Sequence, residues 1–303
     1  MSAPQILVVG ESLIDVVHRT DGGVTRTPGG SSFTVAIGTA RLAPDARVSF
    51  LTDLGADSDG VDLGDRLRMA GVTVLARPRG ATSLAHAHLG PDGSAEYDFD
   101  LRWDPDPALV PASAWRLLHV GSIGAFLAPG RDAVDALLRA TDVTGAIRTF
   151  DPNIRPSLLG DHGEVRLRFE RTAAASDLVK LSDDDAAWLY PELAADEVLD
   201  RLLDAGTALA VLTRGAGGST LRTRTAQVDV PAPPVPVEDT IGAGDSYLAA
   251  LIAGIAQRGV DRAGMPRLDH SDLAALGRRA AEVAAIVVGR AGADIPSAAE
   301  LRD

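Results

Sequence analysis

The stretch VEDTIGAGDSYLAALIAGI (residues 237–255) sets three acids, two glycines and a serine directly before an almost unbroken apolar run. A helix beginning near Gly242 leaves its first backbone N–H groups without internal partners. Those donors, with the positive end of the helix dipole, form an anion site. Gly242, Ala243 and Gly244 let a phosphate approach the backbone closely. Asp245 falls in the first turn, where the dipole stabilises a carboxylate. A carboxylate beside an anion hole is placed to accept a proton from an attacking hydroxyl. An ordinary N-terminal cap, worth about 1 kcal/mol, explains an Asp or Thr at a helix start. It does not explain why these four residues come together.

Composition narrows the chemistry. The chain has 303 residues, no cysteine and a formal net charge of −13. Without cysteine there are no disulfides, no thiolate catalysis and no cysteine zinc site, which fits a cytoplasmic location. The acidic balance argues against nucleic acid as a partner. It also leaves an anionic substrate to be drawn in by local groups rather than by the overall field. Lys180 is the only lysine, so a GxxxxGK[ST] phosphate loop is absent and Schiff-base chemistry would rest on that residue alone. No apolar run reaches the roughly 18–20 residues that cross a bilayer, so no membrane association is expected. The N-terminus MSAPQILVVGE lacks the basic region and long apolar segment of a signal peptide.

The elements that must position this chemistry follow from the apolar pattern. ILVVG (6–10), RVSFLTDLG (47–55), LLHVGSI (117–123), AIRTFD (146–151), DLVKLS (177–182) and ALAVLT (208–213) read as buried strands. Helical patterns at 62–70 and near 130–140 lie between them. Apolar strands alternating with helices imply an α/β fold, a mostly parallel sheet with helices on both faces. Ligands of such sheets gather at the carboxyl ends of the strands. Gly10, Asp53, Gly121, Asp151, Ser182 and Thr213 stand at those ends. TSLAHAHLGPDGSAEYDFDLRW (82–103) instead alternates in period two about Pro91-Asp92-Gly93, a hairpin pattern. Residues 11–29 lack helical periodicity. These two pieces are expected to form a small β lid inserted in a single domain spanning 1–303. PAPPVPVE (231–238) is a stiff extended connector.

At DTIGAGDS the chain resembles the ribokinase-like (PfkB) sugar kinases. GESLIDVV (10–17), PGGSSFTVA (28–36), LGADSDG (54–60), DPNIRPSLL (151–159), KLSDDDAAWL (180–189), LTRGAGG (212–218) and GRAGADIP (289–296) have counterparts there in the same order. The resemblance implies a Rossmann-like ribokinase fold with a β-sheet lid. It also implies transfer of the γ-phosphoryl group of ATP to a sugar hydroxyl. Asp245 then matches the catalytic base, and the backbone of 242–244 the anion hole. DPNIRPSLL and KLSDDDAAWLYPE look most like the fructokinase branch. A 2-keto-3-deoxygluconate kinase, a ribose or nucleoside kinase, and a non-catalytic sugar- or nucleotide-binding protein on the same fold are the alternatives.

On the sugar side the resemblance points to Asp15, which can accept two hydroxyls, and to Gly29 and Gly30, which let a ring lie on the backbone. Thr34 departs from the family's usual Asn and offers one hydroxyl for an amide's donor and acceptor pair. Asn153 and Arg155 resemble a pair directed at the active site, with Arg155 suited to a phosphate or a sugar acid. Phe99 and Trp103 would pack on the sugar or form lid core.

Ser182 and Asp185 replace the Asn and Glu of the motif that positions Mg²⁺ through water, and Lys180 reaches a phosphate or a salt bridge. Thr213, Gly215 and Gly218 match a turn beside the nucleotide. Asp239 and Ile241, with Val287, Arg290 and Gly292, resemble a loop enclosing K⁺. The resemblance also implies a homodimer paired through the lid, as is common in that family. His86 and His88 share a strand face, without a third metal ligand in view.

Overall fold

A computed structural model describes residues 3–90, 95–112 and 115–301. In chain order it contains β1 (Gln5–Val9), β2 (Leu13–His18), β3 (Val24–Gly29), α1 (Ser31–Leu42), β4 (Arg47–Leu51), α2 (Ser58–Met69) and β5 (Thr73–Leu75). Next come β6 (Leu84–Leu89), β7 (Ala95–Asp100), β8 (Leu117–Gly121), α3 (Gly130–Thr144), β9 (Ile147–Asp151), α4 (His162–Ala174) and β10 (Leu178–Ser182). The chain continues through α5 (Asp183–Leu189), α6 (Ala195–Ala205), β11 (Leu209–Thr213), β12 (Ser219–Arg222), β13 (Gln227–Val230), α7 (Ala243–Gln257) and α8 (His270–Val288).

The large sheet has the order β13-β12-β11-β10-β9-β8-β1-β4-β5. From β5 to β11 all neighbours are parallel, and β12 and β13 close the edge antiparallel. Strand β1 shows why its neighbours read as continuous apolar runs. Ile6 and Val8 join the core under α1, α2, α7 and α8, whereas Leu7 and Val9 join the core under α3 to α6. Both faces are covered, so alternation disappears. The expected strands therefore fall where the pattern puts them, β1 displaced by one residue and the other five a little shorter than their apolar runs. The antiparallel pair β12–β13, built from TRGAGG onward, was not anticipated.

The small sheet has the order β3-β2-β6-β7. β6 and β7 form the expected hairpin, with Ala85 opposite Phe99 and His86 opposite Asp98. Its turn at Pro91-Asp92-Gly93 lies outside the described residues. β2 and β3 pair antiparallel, and β2 runs parallel to β6 in the register His18 to His88. That parallel pairing joins two segments far apart in sequence, which no local pattern announces. Trp103 lies beyond β7 and belongs to the main core. Its Nε1 donates to the Gly124 carbonyl at 2.8 Å, so it is not a sugar-facing lid residue.

Helix α1 is the element the pattern missed. It begins directly after the lid strand β3, with Gly30 as its N-cap at φ 104°. A side chain at Gly30 would lie 2.8 Å from the Glu11 carbonyl. Only glycine permits both the left-handed backbone and that close approach. α1 packs against α7, which delivers the first turns of both helices to the carboxyl ends of β1, β8 and β9.

Candidate functional site

Two helix mouths meet in the cleft. α7 opens at Gly242, whose φ is 76° and which makes no side-chain cap hydrogen bond. A Cβ on Gly242 would come within 2.5 Å of Ala293, and one on Gly244 within 3.0 Å of Lys180 Nζ. α1 likewise has no side-chain cap at Gly30. The two are joined by a hydrogen bond in which Ser31 Oγ donates to Asp245 Oδ1 at 2.6 Å. The bare backbone and the carboxylate expected from GAGD are therefore both present at one mouth.

Lys180 lies under this mouth, buried, and pairs with Asp151 at 2.8 Å. Burial would lower the lysine pKa, but Asp151, Asp185 and Asp245 outweigh it and raise it. Burial pushes Asp151 up to about 6, against the pull of Lys180. The Lys180 ammonium nitrogen faces the first turn of α7 at Gly244. Of the two roles expected for Lys180, the salt bridge is present, with Asp151 as the partner.

Across the cleft, Asp15 on β2 is held close to β3 because Gly29 has no side chain. A Cβ there would sit 2.0 Å from Asp15 Oδ2. Burial raises the Asp15 pKa to about 6, the Arg155 charge pulls it down, and Asp245 pushes it up. Arg155 is exposed and donates to the Ile154 carbonyl at 3.0 Å. Asn153 adopts φ 39°, one of two non-glycine residues with positive φ among those described. The other is Ser122 at 51°, beside the same cleft. Backbone strain of this kind concentrates at functional sites. Phe99 is partly buried against the small cluster of Leu13, Ala85 and Ile123 under the lid. Thr34 is buried and spends its proton on the Gly30 carbonyl at 3.1 Å. This follows from its place one turn into α1, where a threonine hydroxyl reaches back to the i−4 carbonyl.

The acidic motif after β10 is a capping box. Ser182 Oγ accepts from Asp185 N, and Asp185 Oδ2 accepts from Ser182 N at 2.9 Å. Asp185 Oδ1 accepts from Ile154 N at 2.7 Å, which ties the DPNIR turn to the start of α5. Thr213 ends β11. Gly215 (φ 49°) and Gly218 (φ 82°) shape the turn into β12, and a Cβ on Gly218 would strike the Val230 carbonyl at 2.2 Å.

Asp239 takes the amides of Ile241 at 2.9 Å and Gly292 at 3.0 Å, clamping the approach to α7 onto the loop after α8. The Val287 carbonyl accepts from Arg290 N, and Arg290 pairs with Asp294 and Glu300. Gly289 is the C-cap of α8, which leaves Gly292 in the loop beyond it.

The histidine pair has a third member. His18 on β2 lies 3.0 Å from His86, ring nitrogen to ring nitrogen, and stacks on His88 with centroids 4.5 Å apart. The parallel β2–β6 pairing places it there. The rings lie face to face, and among the described residues no group of three or more His, Cys, Asp or Glu side chains is arranged to hold a metal ion.

One buried acid escaped the sequence reading. Glu11 accepts from Ser31 N at 3.0 Å and from Gly124 N at 3.3 Å. Burial raises its pKa to about 7, and hydrogen bonds that include the Ser122 hydroxyl only partly offset this. The available signal was a charged residue directly after a buried strand. Asp53, also at a strand end, is turned away from this chemistry. It accepts from Asp104 N at 2.6 Å and faces Arg79 and Arg102.

Comparison with known proteins agrees with this geometry. Residues 3–300 match the family described as pfkB family carbohydrate kinase. A fructokinase of Klebsiella pneumoniae is 31% identical over 268 residues, covering 84% of this chain and 86% of its own length. The crystal structure of a fructokinase from Xylella fastidiosa with bound ATP superposes with a TM-score of 0.88 at 29% identity, covering 98% of this chain and 97% of that one. An aminoimidazole riboside kinase from Salmonella enterica, complexed with aminoimidazole riboside and an ATP analogue, gives 0.84 at 25% identity over 98% of both chains. No helix among the described residues is long and apolar enough to cross a membrane.

Proposed function

Because the chain belongs to the pfkB family of carbohydrate kinases, we propose that its cleft transfers the γ-phosphoryl group of ATP to a hydroxyl of fructose. The observation that carries this reading is the glycine-led mouth of α7, which has no side-chain cap and holds Asp245. The backbone of 242–244 cradles the transferring phosphoryl group, with the Ala243 amide held in the turn by the Thr240 carbonyl at 3.3 Å, and the Lys180 charge beneath Gly244 adds to the field there. Asp245 orients the incoming hydroxyl and accepts its proton. Phosphoryl transfer needs positioning and charge stabilisation more than covalent help, and a rigid first turn supplies both without reorganising. Asp15 accepts sugar hydroxyls, Arg155 faces the same space, and Phe99 lines the lid. The nucleotide lies along Ser182, Thr213, Gly215 and Gly218.

Mg²⁺, when bound, neutralises phosphate charge. The described residues present no acidic cage, which fits an ion carried in on the phosphates. Asp185 would then hold one of its waters, since its carboxylate is already engaged by backbone amides. K⁺ would sit at the loop that Asp239 clamps, with Ile241, Val287, Arg290 and Gly292 around it. The lid sheet is the surface through which a homodimer would form, and sedimentation of the purified protein tests that. ATP as the donor fits a cytoplasmic enzyme.

Arg155 beside Asp15 favours a second reading, a sugar acid such as 2-keto-3-deoxygluconate. ADP formation across fructose, 2-keto-3-deoxygluconate, ribose and aminoimidazole riboside at fixed Mg²⁺ decides. Fructose is expected to give the highest kcat/KM. Turnover of the sugar acid with fructose inactive overturns that preference. Sugar binding without ADP formation overturns catalysis altogether.

A further inference from the structure

Asp245 does not stand alone. Ser31 Oγ donates to its Oδ1 at 2.6 Å. Ser31 is itself fixed from behind, because its amide donates to Glu11 Oε1 at 3.0 Å. The other oxygen of Glu11 takes Gly124 N at 3.3 Å. Glu11 thus joins the end of β1, the first residue of α1 and the strained turn after β8. Gly30 enforces the closeness, since a side chain there would meet the Glu11 carbonyl at 2.8 Å.

We propose that Ser31 is a positioning residue for the proton acceptor, holding one oxygen of Asp245 so that the other meets the sugar hydroxyl. This rests on Asp245 acting as that acceptor. The physical ground is the softness of the carboxylate torsion. The last torsion of an aspartate is broad and roughly two-fold, so a carboxylate at an open helix mouth turns easily. A serine hydroxyl has a single proton to give. Given to Oδ1, it selects one orientation and leaves Oδ2 to the substrate. Glu11 matters through Ser31. By engaging the amide it sets where the hydroxyl sits, and being buried among fixed donors it has little room to yield.

The expected signature is a loss in turnover rather than in binding. Ser31→Ala lowers kcat by roughly ten- to a hundredfold, the scale on which small misplacements of reacting groups act. KM for ATP stays within about twofold, because the nucleotide lies on the far side of the α7 mouth. Thermal denaturation of the variant should match the parent.

The deciding measurement is a cycle of Ser31→Ala, Asp245→Ala and the double variant, assayed with the best sugar of the panel. If Ser31 acts through Asp245, adding Ser31→Ala to Asp245→Ala changes the residual kcat by less than about twofold. An equal loss in both backgrounds overturns the inference, as does a Ser31→Ala kcat within twofold of the parent. Asp245→Ala with near-parent turnover overturns the assignment of the base itself, so the two failures are distinguishable.

Discussion

Helices α7 and α8 pack against each other, yet they begin in opposite ways. α8 opens with Asp269, whose side chain takes the amides of Ser271 at 2.8 Å and Asp272 at 3.0 Å in a full capping box. α7 opens with a left-handed glycine and no side-chain cap. α1, facing α7 across the Ser31–Asp245 hydrogen bond, also opens on a glycine of positive φ, but there the Glu11 carboxylate takes the first amide, Ser31 N, at 3.0 Å. Away from the cleft, α2 and α4 are capped by Asp57 and Asp161. A helix start filled by its own side chain contributes stability, and one left bare keeps its donors for a ligand. The contrast sets helix starts closed by their own side chains against the one that the proposed transfer would use.

Asp245→Asn should break the functional side of the contrast most severely. It keeps the mouth and the nucleotide site, and its turnover is expected to fall by roughly 10²–10⁴ with ATP binding retained. Steady-state kinetics with calorimetry of ATP binding check this. Lys180→Met comes next. It strands Asp151 in a buried position, at a cost of about 3–5 kcal/mol, measured by urea denaturation. Gly242→Ala forces a side chain onto a φ of 76° and against Ala293. It should displace the donors and lower kcat by roughly 10². At the other mouth, Asp269→Ala should cost about 1 kcal/mol of stability and leave turnover unchanged. Equal kinetic penalties for Gly242→Ala and Asp269→Ala would dissolve the distinction.

The smallest effects concern pH. Asp15 has its pKa raised to about 6 by burial, so lowering the pH through that value should raise KM for the sugar as its acceptor oxygens are lost. Arg155 pulls that pKa down, so Arg155→Gln moves the midpoint upward. Glu11 runs from 4.5 unfolded to about 7 folded. Between those values the folded protein keeps a proton that the unfolded chain has released. The Glu11 contribution therefore makes stability fall as pH rises from about 4.5 to 7. Glu11→Gln should flatten that slope in denaturation midpoints measured across the range. Asp57 is the counterexample, a capping acid held down near 2 by the Thr82 hydroxyl and by the amides of Thr82 and Gly60.

The parallel strands were legible because both faces of the sheet are buried, leaving uninterrupted apolar runs. The α7 mouth was legible because glycines and an acid have no packing reason to precede such a run. Helix α1 was not, since SSFTVAIG mixes hydroxyls with β-branched residues and its start depends on Gly30 pressing against Glu11. The role of Ser182 and Asp185 was only half visible. Their spacing predicts a cap, but the hold of Asp185 on Ile154 exists only because β9 and β10 lie side by side.

Local sequence thus determined the α/β layering, the lid hairpin and the glycine-led mouth of α7, because each is written in residues close together in the chain. Tertiary structure alone decided which groups face that mouth. Ser31 meets Asp245, Lys180 meets Asp151, and His18 meets His86 and His88. Each pair joins segments well apart in sequence, and their closeness depends on strand order and on where a glycine leaves room. Periodicity carries no record of either.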